Sequence, residues 1–149
     1  MKDVTLYVLC GLPASGKTTI AKQFEKELGV KRHSYDDIPN ANKDKESKEI
    51  AWKQLANKIL LDLKNGNDVI CDYLNLTKQS RIDLLSELNV SCNKVLIILQ
   101  TPIEECKRRN KLRDEKECVS DMDMHFFPMI FEQPNTDEGW DEIYYICHK

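Results

Sequence analysis

The stretch VLCGLPASGKTTI, from Val8 to Ile20, restricts the architectures open to this chain more than any other. An apolar run breaks off into a glycine-bracketed loop in which Gly11, Gly16, Lys17 and Thr18 satisfy the pattern G-x-x-x-x-G-K-[ST] in full. Such a loop needs a buried strand before it and a helix after it. Backbone N–H groups from Ala14, Ser15, Gly16, Lys17 and Thr18 then converge on a β-phosphate, and the helix N-terminus through Thr19 adds partial positive charge. Lys17 is placed to reach the β- and γ-phosphates, and the Thr18 hydroxyl to ligate Mg²⁺. The loop implies ATP and Mg²⁺ but leaves open where the terminal phosphate goes.

The rest of the chain supplies the sheet that the loop requires. Apolar runs at Val4–Cys10, Lys31–Tyr35, Asp68–Asp72, Lys94–Gln100 and Glu142–Cys147 alternate with helical patterns, as in a parallel α/β sheet. KVLIILQ has almost no polar alternation, the mark of a central strand covered on both faces. Helices are expected from Lys17 to Leu28 with Gly29 as terminator, from Lys45 to Lys64 ended by Asn65-Gly66-Asn67, and from Arg81 to Leu88. In the second of these, Ile50, Leu55, Ile59 and Leu63 read as one apolar stripe. In the third, Leu84, Leu85 and Leu88 face inward, with Thr77 as N-cap. A fourth helix opens at Thr101-Pro102-Ile103-Glu104, read as a capping box with proline at the first helical position. Residues 113–118 are too polar for core and read as a mobile segment. The expected fold is a P-loop NTPase of kinase type, with about five parallel strands flanked by helices and a short arginine-bearing lid, in one domain over residues 1–149.

Composition limits the partners. With 41% hydrophobic and 32% charged residues the balance is that of a soluble domain, and no apolar run approaches the ~20 residues of a membrane span. The formal net charge of −3 disfavours a protein that coats long nucleic acid, though it permits gripping the end of a strand. The N-terminus reads as a first strand rather than a secretory signal. The six cysteines form no C-x-x-C pair, which suits reduced thiols in a cytoplasmic protein.

Phosphorylating a hydroxyl needs a carboxylate near the γ-phosphate to take the acceptor's proton. HSYDDIP puts Asp36 and Asp37 just after the second strand, at the sheet edge where α/β sites form, with Asp36 the expected general base. Asp72, at the carboxyl end of the third strand, is placed to orient the Mg²⁺ shell or a substrate-binding cation, and Asn75 and Arg81 follow as candidate substrate contacts. In EECKRRNKLRDEK, Arg109 and Arg113 are one helical turn apart and share a face. A closing arginine segment there would neutralise charge developing on the transferred phosphate.

Together these motifs resemble the kinase domain of the phage-type polynucleotide 5′-hydroxyl kinases and their small P-loop relatives. GLPASGKTT resembles the family's glycine loop, SYDDI its aspartate pair, VICDYLNL its D-x-x-N-L segment, and RRNKLRD its R-N-x-x-R lid. FEQPNTDEGWDEI resembles a closing pattern in which Pro134, Glu138 and Gly139 precede the last strand. The resemblance implies Asp36 as the base for a 5′-hydroxyl, Asp72 and Asn75 near it, and Arg109 and Arg113 in the lid. It departs at Pro39, where phage-type enzymes carry an arginine that grips the acceptor's phosphate, and at Leu74, where threonine is usual. Three readings follow: a kinase for the 5′ end of RNA or DNA; a kinase for a small metabolite or an aminoacyl-tRNA; and a nucleotide-binding regulatory module that hydrolyses slowly.

Overall fold

The structure is a computed structural model and describes residues 4–147. Strands β1 (Thr5–Cys10), β2 (Lys31–Ser34), β3 (Val69–Asp72), β4 (Asn93–Gln100) and β5 (Glu142–Cys147) form one five-stranded sheet in the order β2-β3-β1-β4-β5. Every neighbouring pair is parallel. Between them lie helices α1 (Lys17–Leu28), α2 (Lys45–Lys64), α3 (Lys78–Leu88), α4 (Ile103–Lys111) and α5 (Asp121–Ile130). This is the expected kinase-type α/β fold.

The central strands read as unbroken apolar runs because each buries both faces. In β4, Leu96 and Ile98 join the core under α2 and α3, while Val95, Ile97 and Leu99 join the core under α1. In β1, Leu6, Val8 and Cys10 point to the first layer and Leu9 to the second. Gly29 ends α1 at φ 70°, its N–H donating to the Glu25 carbonyl, and the Thr77 side chain caps α3 by accepting from the Ser80 N–H. Both caps follow the sequence reading.

Four local expectations are corrected. Ile50 is 52% exposed, and the buried stripe of α2 runs instead through Ala51, Leu55, Ile59 and Leu63, each four residues on from the last. Pro102 is the N-cap of α4 rather than its first helical residue. Thr101 does not cap that helix, because its hydroxyl donates to the Ser15 carbonyl at 2.7 Å. The chain end of β4 is thereby tied to the glycine loop on β1. Finally, residues 121–130 form α5, a helix the sequence reading did not include.

Parallel winding fixes where function gathers. β1 and β3 are adjacent, yet the chain leaves them for opposite faces, through α1 and α3. The crevice beyond their carboxyl ends is the topological switch point of the sheet, where α/β proteins bind ligands.

Candidate active site

The glycine loop fills that crevice. Gly11 donates its N–H to the Leu74 carbonyl at 3.1 Å, which joins the loop to the segment after β3. A Cβ on Gly11 would lie 2.7 Å from Ser15 Oγ and 3.3 Å from Leu99 Cβ, so no side chain fits. Gly16 adopts φ 108°, and Ala14 adopts φ 63°, a left-handed conformation costing an L-residue about 1–2 kcal/mol. The strain at Ala14 aims the next N–H groups into the loop's interior, where a phosphate would sit. Gly11→Ala is expected to weaken ATP binding at least ~10-fold and to destabilise the protein by about 1–3 kcal/mol through overpacking, read by titration calorimetry and urea unfolding.

Lys17 lies across this loop, only 8% exposed, with its ammonium donating to the Gly11 and Leu12 carbonyls at 3.0 and 2.7 Å. Burial pushes its pKa down to about 8; Asp72 pulls it up, Arg113 pushes it further down, and Cys10 and Asp36 pull it up. The charges of Asp36 and Arg113 are thus both felt at the loop lysine. The shift has a pH consequence. A lysine lowered to about 8 releases its proton in the folded chain while the unfolded chain still holds one, so stability rises as pH climbs from about 8 towards the ordinary lysine value. Nucleotide affinity moves the opposite way. Above about pH 8 the free protein must take up a proton to bind triphosphate, and calorimetry at pH 9 in buffers of different ionisation enthalpy should detect close to one proton taken up per ATP.

Beside Lys17, the Thr18 hydroxyl donates to Asp72 Oδ2 at 2.8 Å. Burial pushes the Asp72 carboxyl up, against the Thr18 hydrogen bond and the nearby Lys17 and Arg32 charges. Among the described residues no three His, Cys, Asp or Glu side chains gather as a metal cage. A hydroxyl paired with a carboxylate still fits Mg²⁺, which takes hard oxygen ligands and keeps much of its shell from water and nucleotide phosphate.

The acceptor edge lies on β2. Ser34 pairs with Asp72 across the sheet, and the chain then turns through a single 3₁₀ turn, Tyr35–Asp37. Tyr35 is buried, with its hydroxyl on the Ala41 carbonyl at 3.1 Å, which fixes the turn and leaves Asp36 and Asp37 exposed. Asp37 is paired with Arg32 at 3.0 Å, and Arg32 also lies 3.8 Å from Asp72. Arg32 was not singled out from the sequence; its place on the same strand face as Ser34 was the available signal.

On the other side of the loop, α4 presents Arg109, whose Nη1 would be 3.5 Å from a Cβ on Gly16. Its Nε donates to Glu105 at 3.1 Å. Glu105 also takes Arg108, and the hydrogen bonds from these two arginines hold its carboxyl down at about 2. Residues 113–118, expected as a mobile segment, form turns closed by Asn110. Its side chain donates to the Val119 carbonyl at 2.7 Å and accepts from the Val119 N–H at 2.9 Å.

Two candidate substrate contacts are placed elsewhere. Arg81 is fully buried: Nε and Nη2 hold Glu138 at 2.7 and 3.0 Å, Nη1 donates to the Asn75 and Leu76 carbonyls, and Nη2 to the Glu132 carbonyl. Those bonds use all five guanidinium N–H groups, so none is left for a substrate. Asn75 is 1% exposed at φ 50°, with its amide on the Leu9 and Tyr73 carbonyls. Both residues hold the β3–α3 segment beneath the glycine loop rather than reaching an acceptor. Thr19 sits exposed in the first turn of α1.

A glycine loop on the middle strand, an acidic residue ending the adjacent strand and an arginine-bearing helix against the loop define a P-loop protein of kinase-type fold. Within that class the chain belongs to the KTI12 family, described as chromatin associated protein KTI12, whose model matches residues 4–145. The resemblance to polynucleotide kinases thus holds at the level of P-loop kinases, while the family is KTI12. The L-seryl-tRNA(Sec) kinase of Methanococcus maripaludis is 29% identical over 91% of this chain, which spans only 56% of that relative's length. The Kti12 structure from Chaetomium thermophilum, in complex with ADP-AlF3, superposes with a TM-score of 0.71 at 22% identity, over 95% of this chain and 88% of that one. A fungal RNA kinase shares the fold with a TM-score of 0.68 at 17% identity, over 95% of this chain and 38% of the larger one. Among the described residues no helix is long and apolar enough to cross a membrane.

Proposed function

We propose that residues 1–149 work as one ATP-dependent phosphotransferase domain that passes the γ-phosphate to a hydroxyl carried on RNA, either the 5′ end of a strand or the side chain of an aminoacyl-tRNA. The observation that carries this reading is the register of β2 on β3. Asp36 follows two residues after Ser34, which pairs with Asp72, and Asp72 is bonded to Thr18 of the loop. A free carboxylate on an exposed turn therefore stands beside the donor half of the site.

In the reaction, N–H groups of residues 14–18 and the Lys17 ammonium hold the triphosphate. The acceptor oxygen attacks the γ-phosphorus in line, its proton passes to Asp36, and the bond to the β-phosphate oxygen breaks to release ADP. Arg109 and Arg113 offset charge on the transferring group. Mg²⁺, held by Thr18 and Asp72, would neutralise phosphate charge when bound. RNA is favoured as the carrier by the 29% identity to a kinase whose named substrate is a tRNA.

The test is a panel of acceptors with γ-labelled ATP: a 5′-hydroxyl oligoribonucleotide, seryl-tRNA and a set of small polyols. Label is expected in an RNA species. Label confined to a polyol would defeat the RNA assignment. A second reading is ATP hydrolysis without an acceptor, since the family's description, chromatin associated protein KTI12, names no phosphoryl acceptor. Phosphate release at full rate with no labelled acceptor would decide for it.

A further inference from the structure

α4 carries four cations, Lys107, Arg108, Arg109 and Lys111, and the structure divides them. Arg108 and Arg109 are both tied to Glu105. Among the described residues neither Lys107 nor Lys111 has a hydrogen-bond or ion-pair partner. These two are one turn apart, about half a helix turn away from Arg109, so they point away from the glycine loop. They line a cavity of about 310 Å³ between α4 and α5, together with His125, Asn110, Asp121 and Met124.

That cavity has the composition of a phosphate subsite with an apolar floor. Met124 is buried, and both ends of the Asn110 amide are taken by Val119, so the donors free to meet a ligand are the two ammonium groups and the His125 ring. Asp121 opposes them with one charge against two. On a chain of net charge −3, this is a local reversal of sign. On the same helix α5, Phe126 is exposed at 48%, an aromatic face against which a base can lie, and Met129 is exposed at 72%. Two unpaired cations, with one exposed aromatic ring on the adjoining helix, suit a nucleic-acid strand better than a free anion, because a strand offers both phosphate and base.

We propose that the α4–α5 cavity binds the backbone of the RNA that carries the acceptor hydroxyl, with Lys107 and Lys111 on its phosphates. α4 then serves two anions on opposite faces: Arg109 the nucleotide donor, Lys107 and Lys111 the acceptor's chain. A helix with side chains is about 10–12 Å across, so the second contact lies roughly that far from the first. The inference rests on the RNA-acceptor reading above.

The experiment measures binding of fluorescently labelled deacylated tRNA by anisotropy across a salt series, for the unaltered chain and for Lys107→Ala/Lys111→Ala. Loss of two phosphate contacts should weaken binding about 10-fold near 0.1 M salt and lower the slope of log K against log[salt] by about 2. ATP binding and thermal unfolding should not change, since neither lysine touches the loop or the core. Equal affinity and slope for both proteins would overturn the cavity assignment and leave the RNA-acceptor reading standing. No tRNA binding by the unaltered chain would overturn the cavity assignment, and, joined to an acceptor panel with no label in either RNA, the RNA-acceptor reading as well. Should the double variant prove less stable, Lys107→Gln/Lys111→Gln, which keeps the side-chain length, must reproduce the lower slope, and an unchanged slope would count against the proposal.

Discussion

Asp36→Asn is expected to slow phosphoryl transfer by about 10²–10⁴-fold, the range for removing a general base, while ATP binds within about twofold of its original affinity. The asymmetry follows from where the residue sits. Asp36 is exposed on a turn anchored by buried Tyr35 and its bond to the Ala41 carbonyl, so its carboxylate holds nothing together. Its charge is still felt at Lys17. Asp37→Asn is the matched control. It breaks the pair with Arg32 at 3.0 Å and should cost less than about tenfold in rate, because surface pairs are worth about 0–1 kcal/mol. Single-turnover transfer to the acceptor found in the panel, with nucleotide binding measured separately, checks both. Reversed effects, with Asp37→Asn the inactive variant, would move the base to Asp37. An unimpaired Asp36→Asn would remove the base from the mechanism and favour hydrolysis.

The donor half of the site was legible in the sequence because it is built from local signals. Gly11 to Thr18 form one contiguous loop, and a buried parallel strand shows itself as an unbroken apolar run. Asp72 was legible because strand ends and helix starts can be read, and β3 then fell next to β1. The surroundings of that loop depend on pairings between distant residues. Arg81 and Glu138 are 57 positions apart, and no local pattern marks an arginine in helix α3 as fully buried. Arg32 likewise acquires meaning only when β2 lies beside β3. Ala51 was passed over for Ile50 because a methyl group carries little weight in an apolar count, yet a period of four favours it. Helix α5 was hidden by Pro128 and by apolar residues pointing outward, which blur the amphipathic period. Its start did have a signal: Ser120 accepts from the Asp123 N–H, an N-cap written in the spacing S-x-x-D.

The largest stability effect is expected at Arg81. Arg81→Met keeps much of the side-chain volume but leaves the Glu138 carboxylate buried without its cation, and strips donors from the Asn75, Leu76 and Glu132 carbonyls. Breaking a buried pair in this way costs about 3–5 kcal/mol, which at about 2–4 °C per kcal/mol lowers the melting temperature by roughly 6–20 °C. Replacing both partners, as Arg81→Met/Glu138→Leu, should recover part of that loss, because no unpaired charge then remains. Recovery is incomplete, since Glu138 also accepts from the Trp140 indole at 3.0 Å and the three carbonyls still lack donors. Urea unfolding of the two single variants and the double variant gives the coupling energy directly. The same cycle separates a strap from a substrate contact. A strap loses stability first, and its folded fraction transfers phosphate with an acceptor KM close to normal. A substrate contact would leave the melting temperature alone and raise that KM. Arg81→Met with unchanged stability would therefore return Arg81 to the acceptor site, against the five bonds that now hold it to the β3–α3 segment and the closing loop.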